Sequence, residues 1–218
     1  MKLMLDSANI KEIEQAIELG IIDSITTNPT ILKRESQSRK ESLSLLSKYT
    51  DLKLFVQVTG ISADKMYEDF LEIDRLLMGQ KVNYVIKVPI NKEGLKVIKR
   101  IKAYKDIEIL GTAIYDTLQA ITAIEAGCEY LAPYYNRIET LGHDASEEIN
   151  SIRTYIDNNR YNTVIVAASF KTVQQIKTAL LAGAHTCTIS YELLEALATR
   201  PKVELDIQRF EEDHLEVN

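Results

Sequence analysis

Residues 83–113 read NYVIKVPINKEGLKVIKRIKAYKDIEILGTA. The segment begins with a short apolar run rich in β-branched residues, Asn83–Val88, and ends with a second run, Glu108–Ala113. Between them, Lys92–Lys102 spaces its apolar residues with the period of an α-helix. Short β-rich runs predict strands, and an apolar stripe of helical period predicts an amphipathic helix. The segment therefore predicts a strand, a helix and a second strand, which is the repeating unit of a parallel sheet.

The same alternation continues through the whole chain. Eight runs are predicted as strands: Lys2–Asp6, Ser24–Asn28, Leu54–Thr59, Asn83–Val88, Glu108–Ala113, Tyr130–Tyr134, Thr163–Ser169 and Thr186–Ser190. Helices are predicted between them at Ile10–Leu19, Ser62–Leu77, Lys92–Lys102, Asp116–Ala126, Ala145–Asn158, Thr172–Leu181 and Tyr191–Ala198. Helix N-caps are expected at Ser62, Asp116 and Thr172, and turns at or near Gly20, Gly111, Gly127 and Gly183.

Strands and helices that alternate in this way predict an α/β protein, a closed (β/α)₈ TIM barrel. A doubly wound open sheet is the alternative, but no GxGxxG or GxxxxGK[ST] loop follows the first strand. No Pro/Gly-rich linker divides the chain, so one domain is expected over residues 1–218. The segment Val203–Leu215 is predicted as an additional C-terminal helix, whose apolar residues need a surface on its own barrel or on a neighbouring subunit.

The composition excludes several classes of function. The chain has 218 residues, 45% of them apolar, and a net charge of −6. An acidic surface attracts neither nucleic acid nor an anionic membrane, so neither is expected as a partner. Without a signal peptide or a long apolar stretch, a soluble cytoplasmic protein is expected.

Cysteine and histidine are too scattered to indicate a metal site. Cys128 and Cys187 stand alone, without a CxxC pattern, and are expected to be reduced core thiols. His143, His185 and His214 are also single, so neither a zinc site nor a Ser-His-Asp triad is expected.

Lys87 interrupts the apolar run Asn83–Val88. Burying an ammonium group is costly unless it is paired or loses its proton, and a neutral amine in an apolar pocket is a nucleophile toward carbonyl groups. Taken alone, Lys87 is better explained by a side chain that reaches solvent from the end of a strand. The polar residues at the ends of the other strands favour the chemical interpretation.

Those residues lie where the strands of a (β/α)₈ barrel form the active site, at their carboxyl ends. They are Asp6, Thr26, Asn28, Gln57, Lys87, Thr112, Tyr134, Arg137, Ser169, Lys171 and Ser190. Each alone has an ordinary structural explanation as a cap, a turn residue, a core aromatic or a solvated surface group. Together they predict a polar ring around one carbonyl-reactive lysine.

The chemistry of the groups suggests a role for each. Lys87 would add to a ketone, lose water and become an iminium, the electron sink for cleaving or forming a carbon–carbon bond. Asp6 is suited to exchange the proton of a substrate hydroxyl and to stabilise the iminium charge. Gln57, Thr112 and Tyr134 are predicted to hold a water that shuttles protons.

The remaining rim residues are assigned to substrate binding. Asn28 can hydrogen-bond a substrate hydroxyl or the carbinolamine oxygen, and Thr26 is grouped with it. Arg137 offers a planar fork for phosphate, and Ser169 and Lys171 precede a helix whose N-terminal amides favour an anion.

With these positions in view, the chain resembles the small transaldolase family, and most closely its fructose-6-phosphate aldolase branch, over essentially its whole length. The motifs that carry the resemblance are Leu5-Asp6-Ser7-Ala8-Asn9, Thr26-Thr27-Asn28-Pro29-Thr30, Val56-Gln57-Val58, Ile86-Lys87-Val88-Pro89, Leu110-Gly111-Thr112-Ala113, Ala132-Pro133-Tyr134-Tyr135-Asn136-Arg137 and Ala168-Ser169-Phe170-Lys171. The resemblance implies a (β/α)₈ barrel, a Schiff-base lysine at Lys87, an essential carboxylate at Asp6, and a phosphate site. The residues matched to that site are Arg137, Ser169 and Lys171. It implies no metal, no organic cofactor, and a homo-oligomer, a pentamer or decamer, formed through the C-terminal helix.

Two positions separate the branches of this family. Transaldolases typically carry glutamate where the chain has Gln57 and phenylalanine where it has Tyr134, whereas the aldolase branch carries glutamine and tyrosine. Ala132 agrees with the aldolase branch, since transaldolases tend to have serine there. Tyr135 and His143 depart from the family pattern, which has a small aliphatic residue and a glycine at these positions.

The function expected from the resemblance is a class I aldolase that reversibly cleaves fructose 6-phosphate into dihydroxyacetone and glyceraldehyde 3-phosphate. The first alternative is a transaldolase of the pentose phosphate pathway, which passes the three-carbon unit to erythrose 4-phosphate. The second is a catalytically silent barrel that binds sugar phosphates. The intact pair of Asp6 and Lys87 disfavours the silent barrel.

Overall fold

Parallel strands alternate with helices in the computed structural model, which describes residues 2–36 and 38–217. The strands are β1 (Leu3–Asp6), β2 (Ile22–Thr26), β3 (Lys53–Gln57), β4 (Tyr84–Pro89), β5 (Ile109–Ile114), β6 (Tyr130–Pro133), β7 (Val164–Ala167) and β8 (Thr186–Ile189). The helices are α1 (Ile10–Glu18), α2 (Pro29–Arg34), α3 (Arg39–Leu46), α4 (Ala63–Leu77), α5 (Lys92–Tyr104), α6 (Thr117–Glu125), α7 (Tyr135–Thr140), α8 (Ala145–Asn159), α9 (Val173–Leu181), α10 (Tyr191–Ala198) and α11 (Pro201–Val217).

Within the described residues the strands pair in parallel in chain order, and β8 pairs with β1 to close the barrel. The predicted (β/α)₈ barrel is therefore confirmed, and the open doubly wound sheet is excluded. The predicted N-caps are also confirmed, because the side chains of Ser62, Asp116 and Thr172 each accept a hydrogen bond from a backbone N–H in the first turn of their helix.

The segment around β2 differs most from the prediction. The strand covers Ile22–Thr26 rather than Ser24–Asn28, because Asn28 caps α2 and Pro29 occupies its first turn. The short helices α2 and α3 follow this strand, and the short α7 follows β6, at positions where no helix was predicted. At six residues each, α2 and α7 are too short for an apolar period to stand out in the sequence, and the first half of α3 carries no apolar residue.

Gly111 lies inside β5 and not in a turn, so that prediction is wrong. A Cβ atom on Gly111 would lie 3.0 Å from side-chain carbons of Ile90 and 3.1 Å from Cβ of Ala123, which belongs to α6. The glycine therefore permits α6 to pack closely on the strand. By contrast, Gly20, Gly127 and Gly183 follow helices with positive φ, as predicted for turns.

Apolar side chains pack in two layers. The larger layer lies between the strands and the surrounding helices, and both cysteines belong to it. Burial raises the pKa of the Cys128 thiol and of the Cys187 thiol to about 12, so both are held as inert thiols. The smaller layer fills the barrel interior: Met4, Phe55, Val85, Leu110, Tyr130, Ala132, Val166 and Ala168.

The additional C-terminal helix is confirmed as α11, and none of its described residues is buried. Its large apolar side chains are exposed: Val203, Leu205, Ile207, Phe210, Leu215 and Val217. The alternative in which this segment buries its apolar residues on its own barrel is therefore not observed. In residues 2–36 and 38–217, no helix combines the length and the apolar character needed to cross a membrane.

Candidate active site

The apolar layer inside the barrel determines where the polar residues of the rim point. Side chains on a strand alternate between its two faces, so the residue two positions after an interior residue also faces the interior. The interior residue and its successor are Met4 and Asp6, Phe55 and Gln57, Val85 and Lys87, Leu110 and Thr112, and Ala132 and Tyr134. All five predicted catalytic residues thus form one polar layer next to the apolar one, at the carboxyl end of the barrel.

Lys87 is buried in this layer, with 5% of its surface exposed. Its Nζ donates a hydrogen bond to the backbone carbonyl of Thr27 at 2.8 Å. Burial lowers the pKa of the Lys87 amine, and the negative charge of Asp6 opposes this decrease. A larger share of the amine is therefore neutral, and nucleophilic, near physiological pH than for an exposed lysine.

Asp6 is held by Thr26, whose hydroxyl also contacts that of Thr188. Thr26 Oγ1 donates to Asp6 Oδ1 at 2.6 Å and lies 2.5 Å from Thr188 Oγ1. Thr26 is completely buried, so its hydroxyl orients the Asp6 carboxylate from within the barrel. Whether Thr26 also contacts substrate stays a prediction. Thr188, on β8, was missed because a threonine within a strand gives no functional signal.

Thr112 and Tyr134 form a hydrogen-bonded pair beside β4, the strand that carries Lys87. Thr112 Oγ1 donates to Tyr134 Oη at 3.0 Å. Burial raises the pKa of the Tyr134 phenol, although the hydrogen bond from Thr112 and the positive charge of Arg137 both act against the increase. The phenol therefore stays protonated at neutral pH and can donate a proton.

Gln57 on β3 pairs with Lys87 on β4, so the Gln57 amide lies beside the strand that carries Lys87. Its Oε1 is buried and accepts no hydrogen bond from the described residues. A buried acceptor without a partner costs about 1–3 kcal/mol, so a water or a substrate hydroxyl would be stabilised there. Arg39 fixes the strand end by donating from Nη2 to the Gln57 carbonyl at 2.8 Å.

The residues predicted to bind substrate lie around the same rim. Asn28 uses Oδ1 to cap α2, accepting from Thr30 N and Ile31 N at 3.0 Å each, so its amide N–H groups are what it can offer a substrate. Ser169 and Lys171 lie on the loop between β7 and α9. Ser169 has a φ of 64°, in the left-handed region, and such strain is often held at functional sites.

Arg137 is exposed on α7 and lies against two tyrosines. Its guanidinium carbon is 4.8 Å from the ring centroid of Tyr134, and its Nη1 donates to Tyr115 Oη at 3.2 Å. Arg137 therefore contacts the hydrogen-bonded pair of Thr112 and Tyr134 through the ring of Tyr134. Tyr115 is a rim residue that was missed, although an aromatic residue three positions beyond Thr112 could have been added to the ring.

The arrangement can perform carbonyl chemistry through an amine. A buried neutral amine can add to a ketone, a neighbouring carboxylate can accept a proton, and a protonated phenol can return one. Among the described residues, no three His, Cys, Asp or Glu side chains are grouped as metal ligands. Arg137 supplies a cation at the open side of the site.

Proteins of known classification match the chain along nearly its whole length. The family model described as Transaldolase/Fructose-6-phosphate aldolase matches residues 3–217. A probable transaldolase of Thermoplasma volcanium is 33% identical over 221 residues, which cover 100% of this chain and 97% of that protein. A probable transaldolase of Clostridium botulinum is 30% identical, with 98% of this chain and 96% of that protein covered. Probable transaldolase 2 of Listeria monocytogenes is 32% identical, with 98% and 95% covered.

Proposed function

The chain belongs to the transaldolase/fructose-6-phosphate aldolase family and is an enzyme of that type, and from this premise we propose that it is a class I aldolase. The proposed reaction reversibly cleaves fructose 6-phosphate into dihydroxyacetone and glyceraldehyde 3-phosphate. The observation that carries the proposal is the amine of Lys87, which burial holds at a lowered pKa beside the charge of Asp6. A protein that merely bound sugar phosphates would have no need for a buried lysine of lowered pKa.

In the proposed mechanism, the neutral Lys87 amine attacks the C2 carbonyl of the open-chain sugar and gives a carbinolamine. Loss of water produces an iminium, which can accept the electrons of the C3–C4 bond. Asp6 takes the proton of the C4 hydroxyl as that bond breaks and the aldehyde leaves. Lys87 then carries the three-carbon unit as an enamine.

Protonation of the enamine carbon and addition of water release dihydroxyacetone and restore the amine. Tyr134 is the proposed proton donor, because its phenol is neutral and bonded to Thr112 at 3.0 Å. Gln57 can orient the attacking water through its buried Oε1 but cannot take a proton from it. Asn28 is proposed to donate to a substrate hydroxyl.

The phosphate of the sugar is proposed to bind where Arg137, Ser169 and Lys171 surround the open side of the rim. A guanidinium group supplies paired N–H donors in one plane, which suits a phosphate better than a point charge does. The cationic residues of this side also suit an anionic substrate in an otherwise acidic protein, whose net charge is −6.

A transaldolase is the second candidate, favoured by the names of the relatives described above. Both reactions share the steps up to the enamine of Lys87. They differ in whether the enamine is protonated and released or attacks erythrose 4-phosphate. A neutral Gln57 and a phenol at Tyr134 support release, since together they bring water and a proton to the enamine.

One assay separates the two candidates. The protein is incubated with fructose 6-phosphate, with and without erythrose 4-phosphate, and free dihydroxyacetone and sedoheptulose 7-phosphate are measured together. Dihydroxyacetone is expected to accumulate at a similar rate in both reactions. Formation of sedoheptulose 7-phosphate faster than dihydroxyacetone would instead assign the protein as a transaldolase.

Reduction with borohydride tests the covalent step directly. In the presence of dihydroxyacetone, the reduced adduct is expected on the peptide that contains Lys87. Lys87→Met should abolish the label, whereas Lys53→Arg, at the start of the neighbouring strand, should keep it. Labelling of another lysine, or of none, would remove the basis of the mechanism.

The assembly is also proposed to be a homo-oligomer that forms through α11. Several apolar residues of α11 are exposed, and Leu205 and Phe210 are each 66% exposed. Burial of apolar surface of this kind drives association. Deleting residues 203–218 is expected to lower the mass measured by light scattering. An unchanged mass would show that α11 takes no part in assembly.

A further inference from the structure

We infer that Tyr115 is a positioning residue that makes the enzyme selective for phosphorylated substrates: its hydroxyl fixes the Arg137 guanidinium against the Tyr134 ring, ready to receive a phosphate. This inference rests on the proposed function and deepens it. Tyr115 contacts neither the amine nor the carboxylate of the site in the described structure, so its effect on the reaction passes through Arg137 and Tyr134.

Three contacts close a triangle among these side chains. Arg137 Nη1 donates to Tyr115 Oη at 3.2 Å, and the guanidinium carbon is 4.8 Å from the centroid of the Tyr134 ring. The rings of Tyr115 and Tyr134 meet edge to face, with centroids 5.9 Å apart and planes inclined by 68°. Each member therefore touches the other two.

The triangle matters because Arg137 is exposed. An exposed arginine samples many rotamers, and ordering it when a ligand binds opposes binding. Tyr115 holds one N–H and Tyr134 covers one face, so the guanidinium is already oriented. Its other N–H groups remain to form a paired contact with phosphate oxygens.

The backbone that presents Tyr115 is a bulge at the end of β5. Pairing between β5 and β6 shifts register between Gly111 and Ile114, and Ala113 within the shift has a φ of 56°. Both features turn the end of a strand and re-aim the side chains beyond it. A left-handed alanine is strained, so the surrounding contacts must hold it in place.

The side chain of Gln119 provides those contacts. Its Nε2 donates to the carbonyls of Ala113 at 2.8 Å and Ile90 at 2.6 Å, and its Oε1 accepts from Tyr115 N at 2.8 Å. One amide thus ties the bulge to the end of β4, the strand that carries Lys87. The position of Tyr115 is built into the fold rather than set by a free loop.

Tyr115→Phe tests the inference, because it keeps the ring on Tyr134 and removes only the acceptor of Arg137. In the synthetic direction, with dihydroxyacetone as donor, KM for glyceraldehyde 3-phosphate is expected to rise about three- to tenfold with little change in kcat. KM and kcat for unphosphorylated glyceraldehyde should not change. Tyr155→Phe is the matched control, since the Tyr155 hydroxyl donates to Glu125 on the outer helices. Its loss should change neither KM nor kcat for either aldehyde.

A double-mutant cycle shows whether Tyr115 acts through Arg137. Tyr115→Phe should have no further effect on KM for glyceraldehyde 3-phosphate in an Arg137→Ala background. An additional loss of the same size in that background would overturn the inference, as would equal losses for phosphorylated and unphosphorylated aldehydes in the single variant. Circular dichroism and thermal unfolding establish that each variant is folded.

Inorganic phosphate separates this inference from the proposed reaction. Its dissociation constant, measured by calorimetry, should be about three- to tenfold higher for Tyr115→Phe than for the unmodified protein, whether or not fructose 6-phosphate is cleaved. If the two proteins differ in phosphate affinity as expected but fructose 6-phosphate is not cleaved, only the proposed function is overturned. Equal phosphate affinity of the two proteins, or no phosphate binding by the unmodified protein, would overturn the role of Tyr115.

Discussion

At the amino end of the barrel Lys53 donates hydrogen bonds to Glu108 at 2.7 Å and Tyr130 Oη at 2.9 Å, whereas at the carboxyl end Lys87 donates one, to the carbonyl of Thr27. The two lysines lie on neighbouring strands and have the same chemical group. Burial acts to lower the pKa of both. At Lys53 the hydrogen bonds and charges of Glu108 and Tyr130 outweigh burial and raise the pKa, while at Lys87 burial outweighs the charge of Asp6.

This difference shows how one fold can surround the same side chain either with direct partners, as at Lys53, or without them, as at Lys87, the lysine that we propose to be reactive. The carboxyl end of the barrel is therefore called the reactive end. At the amino end, a carboxylate reaches the ammonium directly and keeps it charged. At the carboxyl end, Asp6 is bonded to Thr26 and influences Lys87 only through its charge. Direct pairing stabilises the protein, and its absence makes the amine available for chemistry.

The largest expected effect comes from replacing each lysine by methionine. Lys87→Met should reduce cleavage of fructose 6-phosphate by about a thousandfold or more, because the amine that is proposed to form the iminium is lost. It should also raise the free energy of unfolding by about 1 kcal/mol, since a buried amine is replaced by an apolar side chain.

Lys53→Met is the matched control and should behave in the opposite way. Activity should be retained, and the free energy of unfolding should fall by about 0.5–1 kcal/mol, as expected for a partly exposed ion pair. Urea unfolding and a coupled assay measure the two quantities. If both variants lose stability, the contrast between the two ends is wrong.

The next effect sharpens the difference within the reactive end, between Tyr134 and Gln57. Tyr134→Phe should slow release of dihydroxyacetone about a hundredfold or more, because the group that is proposed to donate a proton to the enamine is lost. Gln57→Glu should shift the products toward sedoheptulose 7-phosphate when erythrose 4-phosphate is present, because a carboxylate can act as an acid or base where an amide cannot. Product ratios that stay unchanged in Gln57→Glu would show that this position does not separate the two activities.

Most of the reactive end was predictable from the sequence, and the reason is the strand period. Lys87, Gln57 and Thr112 each follow an apolar interior residue by two positions, so strand assignment alone directs them into the barrel. The resemblance to the family led to the same residues. The prediction placed Asn28 at the correct end of the barrel but within strand β2. In the structure its side chain instead caps α2, a helix that was not predicted.

Contacts that depend on irregular backbone were not predictable, even where the residue itself could have been placed at the rim. Tyr115 reaches Arg137 because β5 bulges at Ala113, and an alanine with positive φ has no sequence signal. Gln119 looks like an ordinary helix residue until its three backbone hydrogen bonds are seen. Contacts between distant segments, such as Thr26 with Thr188, likewise follow from barrel closure rather than from local sequence.

A smaller effect, on KM rather than on kcat, is expected at Arg137, an exposed cation at the rim of the reactive end. Arg137→Ala should raise KM for glyceraldehyde 3-phosphate about ten- to a hundredfold, the value of a charge-assisted contact with phosphate. Reaction with unphosphorylated aldehydes should change little. Equal losses for both classes of aldehyde would assign Arg137 to holding Tyr134 in place instead of binding phosphate.

The smallest effect concerns His185, at the amino end of β8. Its Nδ1 accepts a hydrogen bond from Ile165 N at 2.9 Å, which requires an unprotonated Nδ1. Burial lowers the pKa of the imidazole from its ordinary value of 6.5, the positive charge of Arg153 lowers it further, and Asp157 opposes both. As the pH falls below about 6.5, the unfolded chain takes up a proton before the folded protein does.

The stability that His185 contributes is therefore fully present above its unfolded pKa and is lost as the pH falls through its lowered folded pKa. In His185→Asn the side-chain oxygen can accept the same hydrogen bond at every pH, so this part of the pH dependence should disappear. The two proteins should differ by about 0.5–1 kcal/mol more at pH ~5 than at pH ~7.5, the value of one hydrogen bond, in urea unfolding. His143→Asn, in an exposed turn, serves as the control. A pH dependence that is unchanged in His185→Asn would show that the titration of another group causes the loss of stability in acid.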